Sequence, residues 1–214
     1  GGGEGRGWGG ALGIGGGGEA TRGEGLGLGV PGGRSAGDVR LYDAGAGGAL
    51  TVEIDDFAAL RALVPDLPVQ AGRLDLAARF DTRRGSANAV VTGRADDIAL
   101  TRDAGGMSGL GLALDARWNG ARLAADATLT GPFGEPFAVS AVLPLVATDG
   151  PLPALREDGP LDASVRWSGR LGAFWVLVPL PDHVLDGDIV LDMIVGGTLS
   201  SPSIGGSFNL TNGQ

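Results

Sequence analysis

Few residues in this chain have types and spacing that could do chemistry. Its single histidine, His183, stands between Asp182 and Val184 in a Pro-rich connection. Acid–base work would require a positioned partner and a pocket, and nothing nearby supplies a nucleophile in the expected context, so His183 reads as an exposed loop residue. Carboxylates are paired at Asp55-Asp56, at Asp96-Asp97 and at Asp186 and Asp188. None carries the alternating Asp loop with a distant Glu that holds Ca²⁺, so these pairs read as strand ends and helix starts. Gly-x-Gly spacings recur in residues 1–37, but no amphipathic helix follows them, as a dinucleotide site needs. Trp118, Trp167 and Trp175 read as core or sheet-edge residues. The sequence therefore gives no catalytic residue, no metal site and no cofactor.

Composition narrows the class. The 214 residues carry a net charge of −9, all 16 basic residues are Arg, and no basic stripe exists to neutralise a nucleic-acid backbone. Cysteine is absent, which excludes disulfides and thiolate chemistry. Forty-two Gly and 5% aromatics leave few large side chains for a compact interior, whereas 43% hydrophobic residues in alternating runs predict many short strands and tight turns. The first residues, Gly1 to Arg6, show neither an initiator Met nor a signal-peptide pattern. The longest apolar run, Phe137 to Ala147, is interrupted by Ser140 and Pro144 and falls short of the roughly 20 residues of a spanning helix. The expectation is a soluble piece of a longer protein, with no membrane span here and any anchor elsewhere.

Hydrophobic period supplies the elements. Residues 1–37 read as Gly-rich, weakly structured strands. Residues 38–147 read as hairpin repeats, with Val39 to Leu41 and Leu50 to Ile54 flanking a turn at 43–48. Phe57, Leu60, Leu63 and Val64 then follow a helical period and predict a short helix near 56–64. Leu74 to Phe80 and Ala87 to Val91 form the next pair. In the middle hairpin Leu110, Leu112, Leu114 and Trp118 alternate up to Asn119-Gly120, and Leu123 and Leu129 alternate beyond it. A two-residue turn at Asn119-Gly120 pairs Trp118 with Ala121, Ala116 with Leu123, Leu114 with Ala125 and Leu110 with Leu129. Residues 135–143 add a strand, 148–160 reads as a linker, and 161–214 is a last β unit with a short helix near 171–178. Leu63-Val64-Pro65 followed by Gly72 and a strand is echoed by Leu177-Val178-Pro179, Gly187 and a strand, an internal repeat.

In that last unit Ile189, Leu191, Met193 and Val195 alternate before Ser200-Ser201-Pro202-Ser203, and Ile204, Phe208 and Leu210 alternate after it. Pairing Leu199 with Ile204 sets Val195 opposite Phe208 and Met193 opposite Leu210. The run Trp167-Ser168-Gly169-x-Leu171, then Leu185-x-Gly187-x-Ile189, then Gly197-Thr198-Leu199-x-x-Pro202-x-Ile204-x-Gly206-x-x-x-Leu210-x-Asn212-Gly213 resembles the TamB family of translocation and assembly module subunits and their AsmA-like relatives.

Each hairpin presents one apolar face while only two short helices are available to cover them. The expected fold is therefore all-β: an elongated, curved antiparallel sheet of repeated hairpins forming an open groove, with a β-sandwich as the alternative. The resemblance favours the groove. It implies a fragment lacking the N-terminal anchor and the C-terminal end, from a protein held in the inner membrane of a Gram-negative envelope and lying in the periplasm. It also implies an outer-membrane barrel partner of TamA type, reached through parts outside this stretch. The work implied is outer-membrane protein assembly and phospholipid movement, with acyl chains along a face lined by Leu110, Leu112, Leu114, Trp118, Leu123 and Leu129, continued by Ile189, Leu191, Met193, Val195, Phe208 and Leu210. A rival expectation is a scaffold whose sheet edge accepts a strand from a client polypeptide.

Overall fold

Alternating apolar and polar residues over nine to fifteen positions form strands whose side chains divide strictly between two faces. The computed structural model describes residues 21–24, 32–42, 45–58, 69–83, 86–100, 106–146, 154–175 and 185–213. Its strands are β1 (Thr21–Glu24), β2 (Gly33–Tyr42), β3 (Gly45–Ile54), β4 (Val69–Arg83), β5 (Ser86–Leu100), β6 (Met107–Asn119), β7 (Arg122–Thr130), β8 (Phe137–Val146), β9 (Ala154–Leu155), β10 (Asp162–Arg170), β11 (Asp188–Gly197) and β12 (Pro202–Thr211). A single α-helix is described, α1 (Leu171–Trp175).

The strands form one open antiparallel sheet in sequence order, β1 to β8 and then β10, β11 and β12, with β9 paired to β8 alone. Eleven strands in a row span about 48 Å at the usual spacing of about 4.8 Å. Among the described residues the strands pack chiefly on their ladder neighbours, and β1 and β12 are not paired to each other. The sheet is thus neither a closed barrel nor the alternative sandwich. On β4 and β5 most of the apolar set is half-buried while most of the alternate residues are exposed.

A meander places successive connections at alternate rims. The rim where β2–β3, β4–β5, β6–β7 and β11–β12 turn carries tight hairpins, and β8–β10 also crosses there. The opposite rim carries the longer connections β3–β4, β5–β6, β7–β8 and β10–β11, which bring Phe57, Phe133 and Phe174.

That capped rim holds the core. Met107, Leu110, Phe133, Trp167 and Ile189 are buried together, with Leu129, Phe137, Leu171, Phe174 and Leu191 packed against them. The Phe174 ring lies 4.6 Å from Trp167, 5.3 Å from Phe137 and 5.4 Å from Phe133, centroid to centroid. Aromatic pairs at such separations add about 0.5–1.5 kcal/mol each beyond burial. A second cap forms at Phe57, where Phe57-Ala58 make a 3₁₀ turn begun by Asp56 Oδ1 accepting from Ala58 N at 2.8 Å. The Phe57 ring leaves no room for a Cβ at Gly72, whose φ of 131° also suits only glycine. The remainder of the expected helix at 56–64 lies outside the described residues, whereas α1 falls inside the expected 171–178.

Several expected registers are corrected. Trp118 pairs with Leu123, Ala116 with Ala125, Leu114 with Ala127 and Leu112 with Leu129. The turn residues are Gly120 and Ala121, because Gly120 takes φ 72° and Asn119 Oδ1 accepts from Arg122 N at 3.2 Å. In the last hairpin Val195 pairs with Ile204, Met193 with Gly206, Leu191 with Phe208 and Ile189 with Leu210. Its turn is Thr198 to Ser201, where Thr198 Oγ1 accepts from Ser201 N at 3.1 Å, and Pro202, lacking an N–H, opens the strand. Gly45 to Gly48, expected in a turn, begin β3 instead, and the Phe80 ring packs over Gly48 from β4. The expected linker 148–160 contains β9, which pairs Leu155 with Leu145 and Ala154 with Val146.

Candidate functional site

Residues directly opposite in an antiparallel ladder share a face, so the registers can be followed across the whole sheet. Starting at Leu50 on β3, the row runs through Ala78, Val91, Ala116, Ala125, Ala141, Ala163, Val195 and Ile204 on β12. A parallel row runs Val52, Leu76, Gly93, Leu114, Ala127, Val139, Val165, Met193 and Gly206. Followed this way, the described ladder from β2 to β12 places no charged residue on this face, and its hydroxyls are those of Ser35 and Thr82. A β-bulge at Asp97, with φ 55°, absorbs one extra residue on β5 and keeps Ile98 in phase opposite Leu110.

All twelve residues expected to line a groove lie on this one face. Leu110, Leu112, Leu114 and Trp118 line it from β6, Leu123 and Leu129 from β7, Ile189, Leu191, Met193 and Val195 from β11, and Phe208 and Leu210 from β12. Their cover is unequal. Leu110 is 2% exposed beneath the aromatic cap, Leu112 on the same strand is 42% exposed, and Phe208 on the edge strand is 62% exposed. Phe133, 1% exposed, anchors the cap and was not singled out in the sequence. Its signal is an aromatic held between Gly131-Pro132 and Gly134, a turn that would otherwise be polar. The indole Nε1 atoms of Trp118 and Trp167, both on the apolar face, are buried without an acceptor among the described residues.

The opposite face is charged and exposed. Arg34 pairs with Glu53 at 2.8 Å across β2–β3, Arg73 with Asp97 at 2.7 Å, Arg117 with Asp115 at 2.9 Å and Arg166 with Asp192 at 3.5 Å. Arg94 donates to both oxygens of Asp96 at 2.8 and 3.0 Å. These hydrogen bonds hold the Asp96 carboxyl below its ordinary value and raise Arg94. The same face bears exposed Val90, Val190 and Ile194, so it is not uniformly polar. A depression of about 440 Å³ lies mainly on this charged face, lined by Glu53, Asp75, Arg94, Asp115 and Asp126.

Of the carboxylates set apart in the sequence, Asp56, Asp96, Asp97, Asp186 and Asp188 have protein partners here. Besides Asp96, Asp97 and Asp56, Asp186 Oδ1 accepts from Gly187 N at 2.8 Å, and Asp188 Oδ2 accepts from Asn212 Nδ2 at 3.0 Å. No group of three or more metal-ligating side chains occurs among the described residues. His183 lies outside the described residues. No helix of the described residues is long and apolar enough to cross a membrane.

Neither the family models, nor the curated proteins, nor the solved structures compared with the chain match it. The functional reading therefore rests on the face itself. An uncharged apolar surface crossing an entire open sheet, with half-buried side chains, is suited to holding an extended apolar ligand and offers no reacting group.

Proposed function

We propose that this chain is a segment of a TamB-like, periplasm-spanning envelope protein and that its apolar face carries phospholipid acyl chains between membranes in support of outer-membrane assembly. The observation behind the reading is the absence of charge on one face of the described ladder from β2 to β12, beside an opposite face studded with ion pairs. At the capped rim the strip serves the core, whereas Leu112, Leu114 and Met193 continue it beyond the core and stay partly exposed. An acyl chain loses stabilisation wherever a charge interrupts its path. No catalytic group takes part, and an outer-membrane barrel of TamA type is the partner expected for the parent protein.

Photo-crosslinking tests the reading directly. A photoactivatable residue at Leu112 or Met193, on the apolar face, should capture phospholipid, while one at Arg117 or Asp192, on the charged face, should not. Equal capture by both faces, or capture by neither, refutes it.

The edge strand favours a second reading. Pro202–Thr211 contains no charged residue, is exposed along its length, and shows Ile204 at 67% exposure, so it lacks the charges that normally guard an edge. A client strand added antiparallel to β12 would extend both faces. If an extended client peptide protects β12 amides from hydrogen exchange while lipid crosslinks are absent, the template reading replaces the conduit.

A further inference from the structure

The last strand has the composition of a strand with neighbours on both sides. Among the described strands of nine residues or more, only β8 and β12 carry no charged residue. β8 lies between β7 and β10, whereas β12 pairs with β11 alone and is exposed along its length. Of the eleven large hydrophobic side chains exposed among the described residues, five lie on β11 and β12, so apolar surface is concentrated where the ladder stops. The other end of the sheet finishes on β1, a four-residue strand, and so short an edge offers little to pair with.

Symmetry selects the partner. Identical edge strands that pair antiparallel are related by a two-fold axis perpendicular to the sheet, which returns every residue to its own face. Two copies of β12 joined in this way set apolar side chains beside apolar ones and hydroxyls beside hydroxyls. A register centred on Ser207 places Phe208 opposite Gly206 of the other copy, Ile204 opposite its Leu210 and Ser203 opposite its Thr211, each twice. Phe208 then covers a residue without a side chain, as Phe80 already covers Gly48 directly opposite it across β3–β4. A register centred on Gly206 would instead set glycine against glycine and draw Pro202, which has no N–H, into the ladder. Net charge does not oppose the contact, although each copy carries −9. Asp192 lies opposite Ser207 on β11, so the two Asp192 carboxylates stand three strand spacings apart, about 14 Å, beyond the screening length of about 8 Å in physiological salt.

We infer that this chain forms a two-fold dimer by pairing β12 with β12 of a second copy, which carries the ladder and its uncharged apolar face from one copy into the next. The inference does not depend on what that face holds, and the dimer occupies the edge that a client strand would use. Residues 203–211 of each copy make a small interface, so the association belongs near the micromolar range.

Cysteine is absent from the chain, so single substitutions report the register. On the axis Ser207 meets its own counterpart with Cα atoms about 4.5–5.5 Å apart, within disulfide reach, whereas the two copies of Ser203 lie about 26 Å apart along the strands. Mild oxidation should give a covalent dimer of Ser207→Cys, none of Ser203→Cys alone, and a mixed dimer when Ser203→Cys and Thr211→Cys chains are combined. Sedimentation of the unsubstituted 214-residue chain should show a monomer–dimer equilibrium. Ser207→Arg should weaken it about fivefold, because the new side chain faces Asp192 within its own chain but a like charge across the axis. A chain that stays monomeric at about 100 μM overturns the inference. Species that grow past the dimer, equal crosslinking of Ser203→Cys and Ser207→Cys, or an equilibrium unmoved by Ser207→Arg also overturn it. A monomer whose β12 amides are protected from hydrogen exchange only by an added extended peptide assigns the edge to a client strand, and overturns it as well.

Discussion

Leu110→Asp and Leu114→Asp place the same charge on the same strand and the same face, four residues apart, once under the cap and once on the open strip. Leu110 is 2% exposed and belongs to the aromatic cluster, so Asp there loses a buried Leu and strands a carboxylate with no partner. That combination costs about 4 kcal/mol or more. Leu114 is half-buried between Gly93 and Ala127. Its carboxylate would keep much of its water, leaving a loss of about 1–2 kcal/mol, a fraction of the 1.5–3 kcal/mol for fully burying a Leu. For a chain of 150–250 residues each kcal/mol moves the midpoint by about 2–4 °C. Thermal unfolding followed by circular dichroism should therefore place Leu114→Asp about 2–8 °C below the unsubstituted protein, with Leu110→Asp unfolded or lower by about 8 °C or more. Equal losses at the two positions would refute the open strip, because Leu114 would then be as enclosed as Leu110.

Other outcomes are accessible to simple measurement. Phe174→Ala removes three ring contacts and should cost about 2 kcal/mol in urea unfolding, below the 3–5 kcal/mol of a fully buried Phe. Asp96 has a folded-state pKa below its unfolded value, so its contribution to stability is present above the unfolded pKa and is lost as pH falls through the folded one. NMR titration of its carboxyl should move up toward the ordinary value in Arg94→Ala. Ile204→Lys should leave the unfolding midpoint within about 0.5 kcal/mol while reducing any strand-mediated association seen by sedimentation, since a charge guards an edge without disturbing its inner ladder. His183→Ala should leave the proposed envelope function of the parent protein intact, and complete loss at normal protein level would reopen an enzymatic reading.

What the sequence revealed and what it hid divide along a physical line. Period two assigns residues to faces, and an error of two or four positions in register returns every side chain to the same face. Trp118 was paired with the wrong partner and so was Phe208, yet both lie where alternation put them. Turn position was less legible, because it depends on local hydrogen bonds such as Thr198 Oγ1 to Ser201 N and on which glycine takes positive φ. Gly45 to Gly48 looked like a turn because their role as strand is set by a neighbour, the ring of Phe80, far away in sequence. Phe133 was hidden for the same reason, since a lone aromatic in a Gly-Pro turn gains meaning only when Trp167 and Phe174 arrive.

The two caps belong to connections six strands apart in the sheet order, β3–β4 and β10–β11. An even interval returns the chain to the same side, and an odd one would carry the second cap across to the side of the tight hairpins. Length variation in such a sheet is therefore quantised. Two strands can be gained or lost together with both caps still in line, whereas a single strand gained or lost between them would turn one stopper into an obstruction at the mouth. Natural or engineered length variants should step in hairpins, and a working variant with an odd step between the caps should be found to have shed one of them.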